Sequence, residues 1–211
     1  MTVTPNPDGR LIILRHGESE WNAKGIWTGT RDVHLSSKGH HDSALIGQAL
    51  RDTHIDHVFL SKQIRTLETL KGVMEGMGAP LPPYTSNEAI NERDYGIYTG
   101  KNKWQMKTEL GDEQFQLIRR GWDVAIPEGE SLKQVYERSV PYYLQTIVPA
   151  VRQGQTILLV AHGNSIRSLM KYIESLSDDA VGRLEMLFGT ILEYHIDDDG
   201  HMTAKHEQHV L

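Results

Sequence analysis

Two apolar runs, one near each end of the chain, break off in the same way. Leu11-Ile-Ile-Leu14 leads into Arg15-His16-Gly17-Glu18-Ser19, and Ile157-Leu-Leu-Val-Ala161 leads into His162-Gly163-Asn164. Continuous apolar runs of this length, closed by glycine, predict buried strands of a parallel or mixed sheet. A third run, at 55–60, reaches Ser61, which reads as the cap of a helix carrying Arg65 in its first turns and dissolving at Gly76 and Gly78. Ser36-Ser-Lys-Gly39 opens another helix through Ala44, Leu45 and Leu50. The prolines at 79–83 mark a connection, and 88–129 lacks strand periodicity and reads as an inserted, mainly helical cover. Leu132, Val135, Val140, Leu144 and Val148 follow helical spacing across 130–151, where Pro141 predicts a kink or a boundary. A helix at 165–176 and a hairpin of 191–196 and 202–206 around Asp197-Asp-Asp-Gly200 complete the pattern.

Alternation of this kind predicts an α/β fold in three layers, with helices flanking a mostly parallel mixed sheet and the helical cover lying over the C-terminal strand ends. The 211 residues suit one domain spanning 1–211, without an internal repeat. Three strand-to-helix junctions, at His16, Ser61 and His162, then meet on one sheet edge, where open α/β sheets hold their ligands.

Composition narrows the chemistry. The chain contains no cysteine, which excludes disulfides, a thiol nucleophile and thiolate zinc sites. A net charge of -6 disfavours nucleic acid as a partner. The first nine residues do not resemble an export signal and no run reaches membrane-spanning length, so a cytoplasmic location is expected. Against the acidic background, Arg15, Arg65, Arg93, Lys103, Arg119 and Arg120 fall inside the motifs, and gathered around one site they would attract small polyanions.

A histidine beside an arginine at a strand end suits phosphoryl transfer. Neutral imidazole is a competent nucleophile near neutral pH, since its ordinary pKa is about 6.5. The planar guanidinium fork matches phosphate oxygens. The second ring nitrogen of His16 is expected to donate to a backbone carbonyl and so fix the tautomer.

The Arg15-His16-Gly17 string and the late His162 resemble the histidine phosphatase superfamily. Within it, Glu18-Ser-Glu-Trp-Asn22, Thr28-Gly29, Asn91-Glu-Arg-Asp-Tyr-Gly96, Gly100-Lys-Asn-Lys103, Gly111-Asp-Glu-Gln114 and Arg119-Arg120-Gly-Trp122 are similar to the cofactor-dependent phosphoglycerate mutases. That resemblance implies interconversion of 3-phosphoglycerate and 2-phosphoglycerate in glycolysis and gluconeogenesis. It implies a phosphohistidine intermediate at His16, primed by 2,3-bisphosphoglycerate without a metal. It implies Arg15, Arg65 and His162 around the moving phosphoryl group, Asn22 and Gly163 as further donors, and Glu92 as general acid and base. Tyr95, Lys103, Arg119 and Arg120 would hold the remaining anionic groups, making 88–129 a substrate clamp. Ser19, Thr28, Gly29, Arg93 and Asn164 complete the implied pocket. Arg119 and Arg120 are consecutive, so in an ideal helix they point about 100° apart and must sit at a helix end or grip different groups.

The chain departs from that family in the short path from Trp122 to Glu130, in Thr30, in Phe188-Gly-Thr190 and in its short C-terminal tail. None of these removes an implied catalytic group. The rival enzymatic reading is a phosphohistidine phosphatase using the same His16, Arg15, Arg65 and His162 with water as acceptor. A noncatalytic phospho-ligand module ranks behind both, because His16 and Glu92 are present. The resemblance allows a monomer or a homodimer.

Overall fold

The structure is a computed structural model that describes residues 9–211. The residues read for an export signal therefore lie, but for the last, outside the described residues. The elements in chain order begin with β1 (Arg10–Arg15), the short α1 (Glu20–Ala23), α2 (Ser37–Ala49), β2 (His57–Leu60), α3 (Ile64–Met77) and β3 (Tyr84–Ser86). Two 3-10 turns, Glu88–Ile90 and Gly96–Tyr98, precede α4 (Lys103–Leu110) and α5 (Asp112–Arg120). Then come α6 (Leu132–Tyr142), a π-helical turn (Tyr143–Ile147), α7 (Val148–Arg152), β4 (Thr156–Ala161), α8 (Gly163–Ile173), α9 (Asp178–Arg183), β5 (Thr190–Ile196) and β6 (Met202–His209).

The sheet runs in the order β3-β2-β4-β1-β5-β6. The first four strands in that order pair parallel, and β5 and β6 add antiparallel at one side. Alternate side chains of each strand face opposite layers, which is why the central strands are apolar throughout. Leu11, Ile13, Ile157 and Leu159 pack with α6, α7 and α8, whereas Ile12, Leu14, Leu158 and Val160 pack with Ile46 of α2 and Leu70 and Val73 of α3. The three-layer α/β prediction holds. A separate cluster of Trp27, Tyr95, Met106, Phe115, Ile118 and Ile126 forms the core of the cover.

Several boundaries differ from the sequence reading. The helix after β2 starts at Ile64 with Gln63 as its N-cap, so Ser61 does not cap it and its hydroxyl is turned elsewhere. The helix expected at 165–176 begins two residues earlier, with His162 itself in the N-cap position. Pro141 lies inside α6, and the helical course continues past it through the π turn. Proline removes one N–H from the ladder, and a wider turn is a way of absorbing that loss without ending the helix. β3, α1 and α9 were not anticipated, each being too short to show a period.

Candidate active site

Strand register assembles the chemistry. Arg15 is paired with Ala161 across β1 and β4, so His16 and His162 leave the sheet side by side, with ring centroids 4.9 Å apart. Leu60 is paired with Val160, which sets Ser61 beside His162 on its other flank. Gly17 follows because the chain must pass close to α2: a Cβ there would lie 2.7 Å from the carbonyl oxygen of Gly39.

His16 is 3 % exposed, and its Nδ1 lies 2.6 Å from the Gly17 carbonyl oxygen. A carbonyl only accepts, so Nδ1 carries the proton and Nε2 keeps its lone pair. Burial, followed by the charges of Arg65 and Arg15, holds this imidazole well below its ordinary 6.5. His16 is thereby a neutral, oriented imidazole with its Nε2 lone pair free.

His16 opens into a cavity of about 260 Å³. Arg15, Arg65, Asn22, Thr28, Gly29, Glu92, Tyr95, Lys103, Arg119, Arg120, Gly163 and Asn164 are all on its wall. Arg65 is fully buried and donates to the carbonyls of Arg31 (2.9 Å) and Gly29 (3.1 Å) and to Nδ1 of His162 (3.3 Å). Three of its five N–H groups are engaged, leaving two for a ligand. Burial pushes its guanidinium down to about 10, well above neutrality, so it stays charged. Arg15 donates to the Met186 carbonyl at 2.7 Å, and its Nε, like the Thr28 hydroxyl, is a buried polar atom without a protein partner. Polar atoms held dry at a cavity wall fit an anionic ligand.

Glu92 is held on several sides. Its Oε1 accepts from the amide of Arg93 (2.8 Å) and from Nδ2 of Asn164 (3.0 Å). Its own amide donates to Oε1 of Gln63, whose Nε2 donates to the Gly29 carbonyl. Beneath this loop, Arg138 of α6 donates to the carbonyls of Ala89, Asn91 and Glu92 and pairs with Glu130, which in turn accepts from the amide of Asp94.

Arg119 and Arg120 both reach the cavity because they form the last turn of α5, where the chain leaves the ideal helix. Burial lowers the Lys103 ammonium and the Arg120 guanidinium, and neighbouring arginines lower them further. Burial would raise the Tyr95 phenol, but the charge of Arg93 brings it below its ordinary value, and the hydroxyl accepts from Asn164 at 3.0 Å.

Three expected site residues are not on the wall. Ser19 caps α1, accepting from the Asn22 amide and donating to Asn22 Oδ1 at 2.9 Å, so it orients Asn22. Arg93 is fully buried, donates to the Ile118 carbonyl at 2.8 Å and lies over the Tyr95 ring, tying α5 to the loop of Glu92. His162 accepts from Arg65 at Nδ1, and its Nε2 lies 2.7 Å from Ser61 Oγ, so both nitrogens are engaged within the protein. These three hold the donors of the wall.

The sequence reading missed Trp27, Arg167, Glu185, Met186, Leu187 and Phe188, which also line the cavity. Arg167 donates to Oδ1 of Asn164 at 3.0 Å, and its position three residues later on α8 was a signal that helical spacing could have supplied. For 185–188 there was none. Among the described residues, no group of three or more His, Asp or Glu is placed to hold a metal ion. No helix among them is long and apolar enough to cross a membrane.

Residues 11–208 match the histidine phosphatase superfamily (branch 1). The chain belongs to that family. It is 40% identical over 207 residues to a phosphoglycerate mutase of Schizosaccharomyces pombe, covering 97% of this chain and 98% of the relative. It is 38% identical over 199 residues to a 2,3-bisphosphoglycerate-dependent phosphoglycerate mutase of Chelativorans, covering 93% and 97%. Among solved structures, Bacillus stearothermophilus YhfR superposes with a TM-score of 0.80 at 25% identity, covering 92% of this chain and 95% of that one. A mycobacterial glucosyl-3-phosphoglycerate phosphatase superposes at 0.78 with 21% identity over 95% and 97%, a likeness of fold.

Proposed function

We propose that this histidine phosphatase superfamily enzyme is an isomerase that interconverts 3-phosphoglycerate and 2-phosphoglycerate through phosphohistidine at His16. The observation that carries the reading is a second cationic group on the same wall. Arg15 and Arg65 attend His16, and Lys103, Arg119 and Arg120 of the cover line the same cavity. Hydrolysis of a phosphate needs only the first group. Holding a glycerate while it turns to present its other oxygen needs the second, together with exclusion of water.

His16 Nε2 attacks phosphorus in line, the bond to the leaving oxygen breaks, and Glu92 gives that oxygen its proton. For the return, Glu92 takes the proton of the hydroxyl that attacks the phosphohistidine, so no proton or phosphoryl group is lost over the cycle. Arg15 and Arg65 neutralise charge on the moving group, the Asn22 side-chain amide offers it a neutral donor, and the Gly163 amide at the N-terminus of α8 adds an unpaired donor. His162 keeps Arg65 in place. The substrate clamp is the 88–129 segment.

2,3-Bisphosphoglycerate supplies the phosphoryl group that loads His16. Two anion-binding groups on one wall, with Arg15 Nε and the Thr28 hydroxyl as further buried donors, fit such a doubly phosphorylated primer. We assign the reaction to glycolysis and gluconeogenesis in the cytoplasm.

The test is 3-phosphoglycerate conversion in EDTA, with and without catalytic 2,3-bisphosphoglycerate, following 2-phosphoglycerate and free phosphate together. Isomerisation that depends on the bisphosphate supports the mutase. Phosphate release without isomerisation would make the enzyme a phosphatase, and a strict metal requirement would contradict the phosphohistidine route.

A further inference from the structure

One acidic group on the cavity wall has no part in the chemistry above. Glu92 and Glu185 are the two carboxylates among the residues lining the cavity, facing Arg15, Arg65, Lys103, Arg119, Arg120 and Arg167. Glu185 lies between α9 and β5, and its Oε1 pairs with Nη2 of Arg120 while standing 3.8 Å from Nη2 of Arg119. Its backbone neighbours reach the same arginines: the Leu184 carbonyl accepts from Arg120 at 2.7 Å and the Met186 carbonyl from Arg15 at 2.7 Å. The Phe188 ring lies 3.9 Å from the Arg15 guanidinium carbon. One short segment therefore touches three of the site's cations.

We propose that Glu185 is a specificity-determining counter-ion, a carboxylate that occupies Arg119 and Arg120 in the free enzyme and is exchanged for the carboxylate of the incoming phosphoglycerate. A planar carboxylate on a guanidinium presents the geometry that a substrate carboxylate would adopt on the same nitrogens. The two cannot share them, because like charges brought together repel. Half of the Glu185 side chain is exposed (55 %), so its pairing with the arginines is individually weak and reversible. Ligands without a second anionic group gain nothing from displacing it. The exchange thus lowers affinity for the true substrate while keeping the arginines aligned, and it selects for ligands that carry an anion beyond the transferred phosphate.

This inference rests on the reading of the cavity as a phosphoglycerate site, and its test separates the two. In a His16→Ala background, which prevents turnover, calorimetry would compare 3-phosphoglycerate with glycerol 3-phosphate, which has the same phosphate but no carboxylate. Glu185→Gln keeps an acceptor for the arginines and removes the charge. It should tighten 3-phosphoglycerate binding by about fivefold, equivalent to about 1 kcal/mol, and glycerol 3-phosphate by less than about twofold, as expected for a screened field. Equal tightening of both ligands would mean a general field effect, and unchanged or weaker 3-phosphoglycerate binding would mean that Glu185 only positions the arginines; either overturns the proposal. The differential effect persisting in an enzyme that fails to isomerise would leave the counter-ion intact and remove the mutase. Binding of neither ligand would overturn both.

Discussion

The proton on His16 is placed by its own neighbour: Nδ1 lies 2.6 Å from the carbonyl oxygen of Gly17. The tautomer of His16 is therefore set within a single dipeptide, without a carboxylate partner, and Nε2 is the atom left free for the proposed attack. His16→Ala should abolish the acid-labile phosphoenzyme and lower turnover by roughly 10³-fold or more. Its circular dichroism should be unchanged, since the backbone at 16–17 keeps its bonds. A labelled phosphoenzyme persisting in the variant would remove His16 from the nucleophile's role.

Acid should destabilise the fold through the same ring and its neighbour. Burial, then the charge of Arg65, holds both His16 and His162 well below the ordinary 6.5. Between the folded values and 6.5 the unfolded chain binds more protons, so this stability is full above 6.5 and is lost as the pH falls below it. Urea midpoints should decline from the neutral plateau toward pH 5, and His162→Gln should flatten part of that decline. Midpoints rising on acidification would contradict the neutral, buried assignment.

Glu92→Gln preserves the acceptor for Arg93 and Asn164 but removes the transferable proton. The expected result is a fall in kcat of about 10²–10³-fold, the usual weight of a general acid or base, with KM changed far less. Steady-state kinetics read both constants, and an unchanged kcat would exclude Glu92 from proton transfer.

Arg138 stands outside the cavity yet fixes the loop that carries Glu92. Arg138→Met would strip donors from the carbonyls of Ala89, Asn91 and Glu92 and leave Glu130 unpaired. Burial would raise the Glu130 carboxyl, while its bonds to Arg138 bring it below the ordinary range, so the variant carries an uncompensated acid. Stability should drop by about 2–4 kcal/mol. Thermal melts check that cost, and Arg138→Lys, which restores charge without the fork, should recover only part of it.

The strands and the histidines at their ends were readable in one dimension because a buried parallel strand needs an unbroken apolar run, and two such runs end at His16 and His162. The hairpin around Asp197–Gly200 was equally legible from its turn residues. Ser61 was misread for an instructive reason. Serine after a strand and before a helix is a good cap on local grounds, but here its hydroxyl accepts from the Gln63 amide and meets His162 Nε2, 101 residues away in sequence. Motif position puts Arg93 in the pocket, whereas its buried guanidinium lies against the Tyr95 ring and donates to the Ile118 carbonyl.

Local pattern thus determined the layers, the strand ends and the two histidines that stand there, since periodicity and turn chemistry act over a few residues. Register and chain return decided the rest. Glu185 and Phe188 meet Arg120 and Arg15 only because β5 enters antiparallel beside β1 and carries the preceding segment back over the strand ends. Contacts of that kind leave no trace in spacing, because the energy that forms them comes from packing the whole sheet and not from the residues that touch.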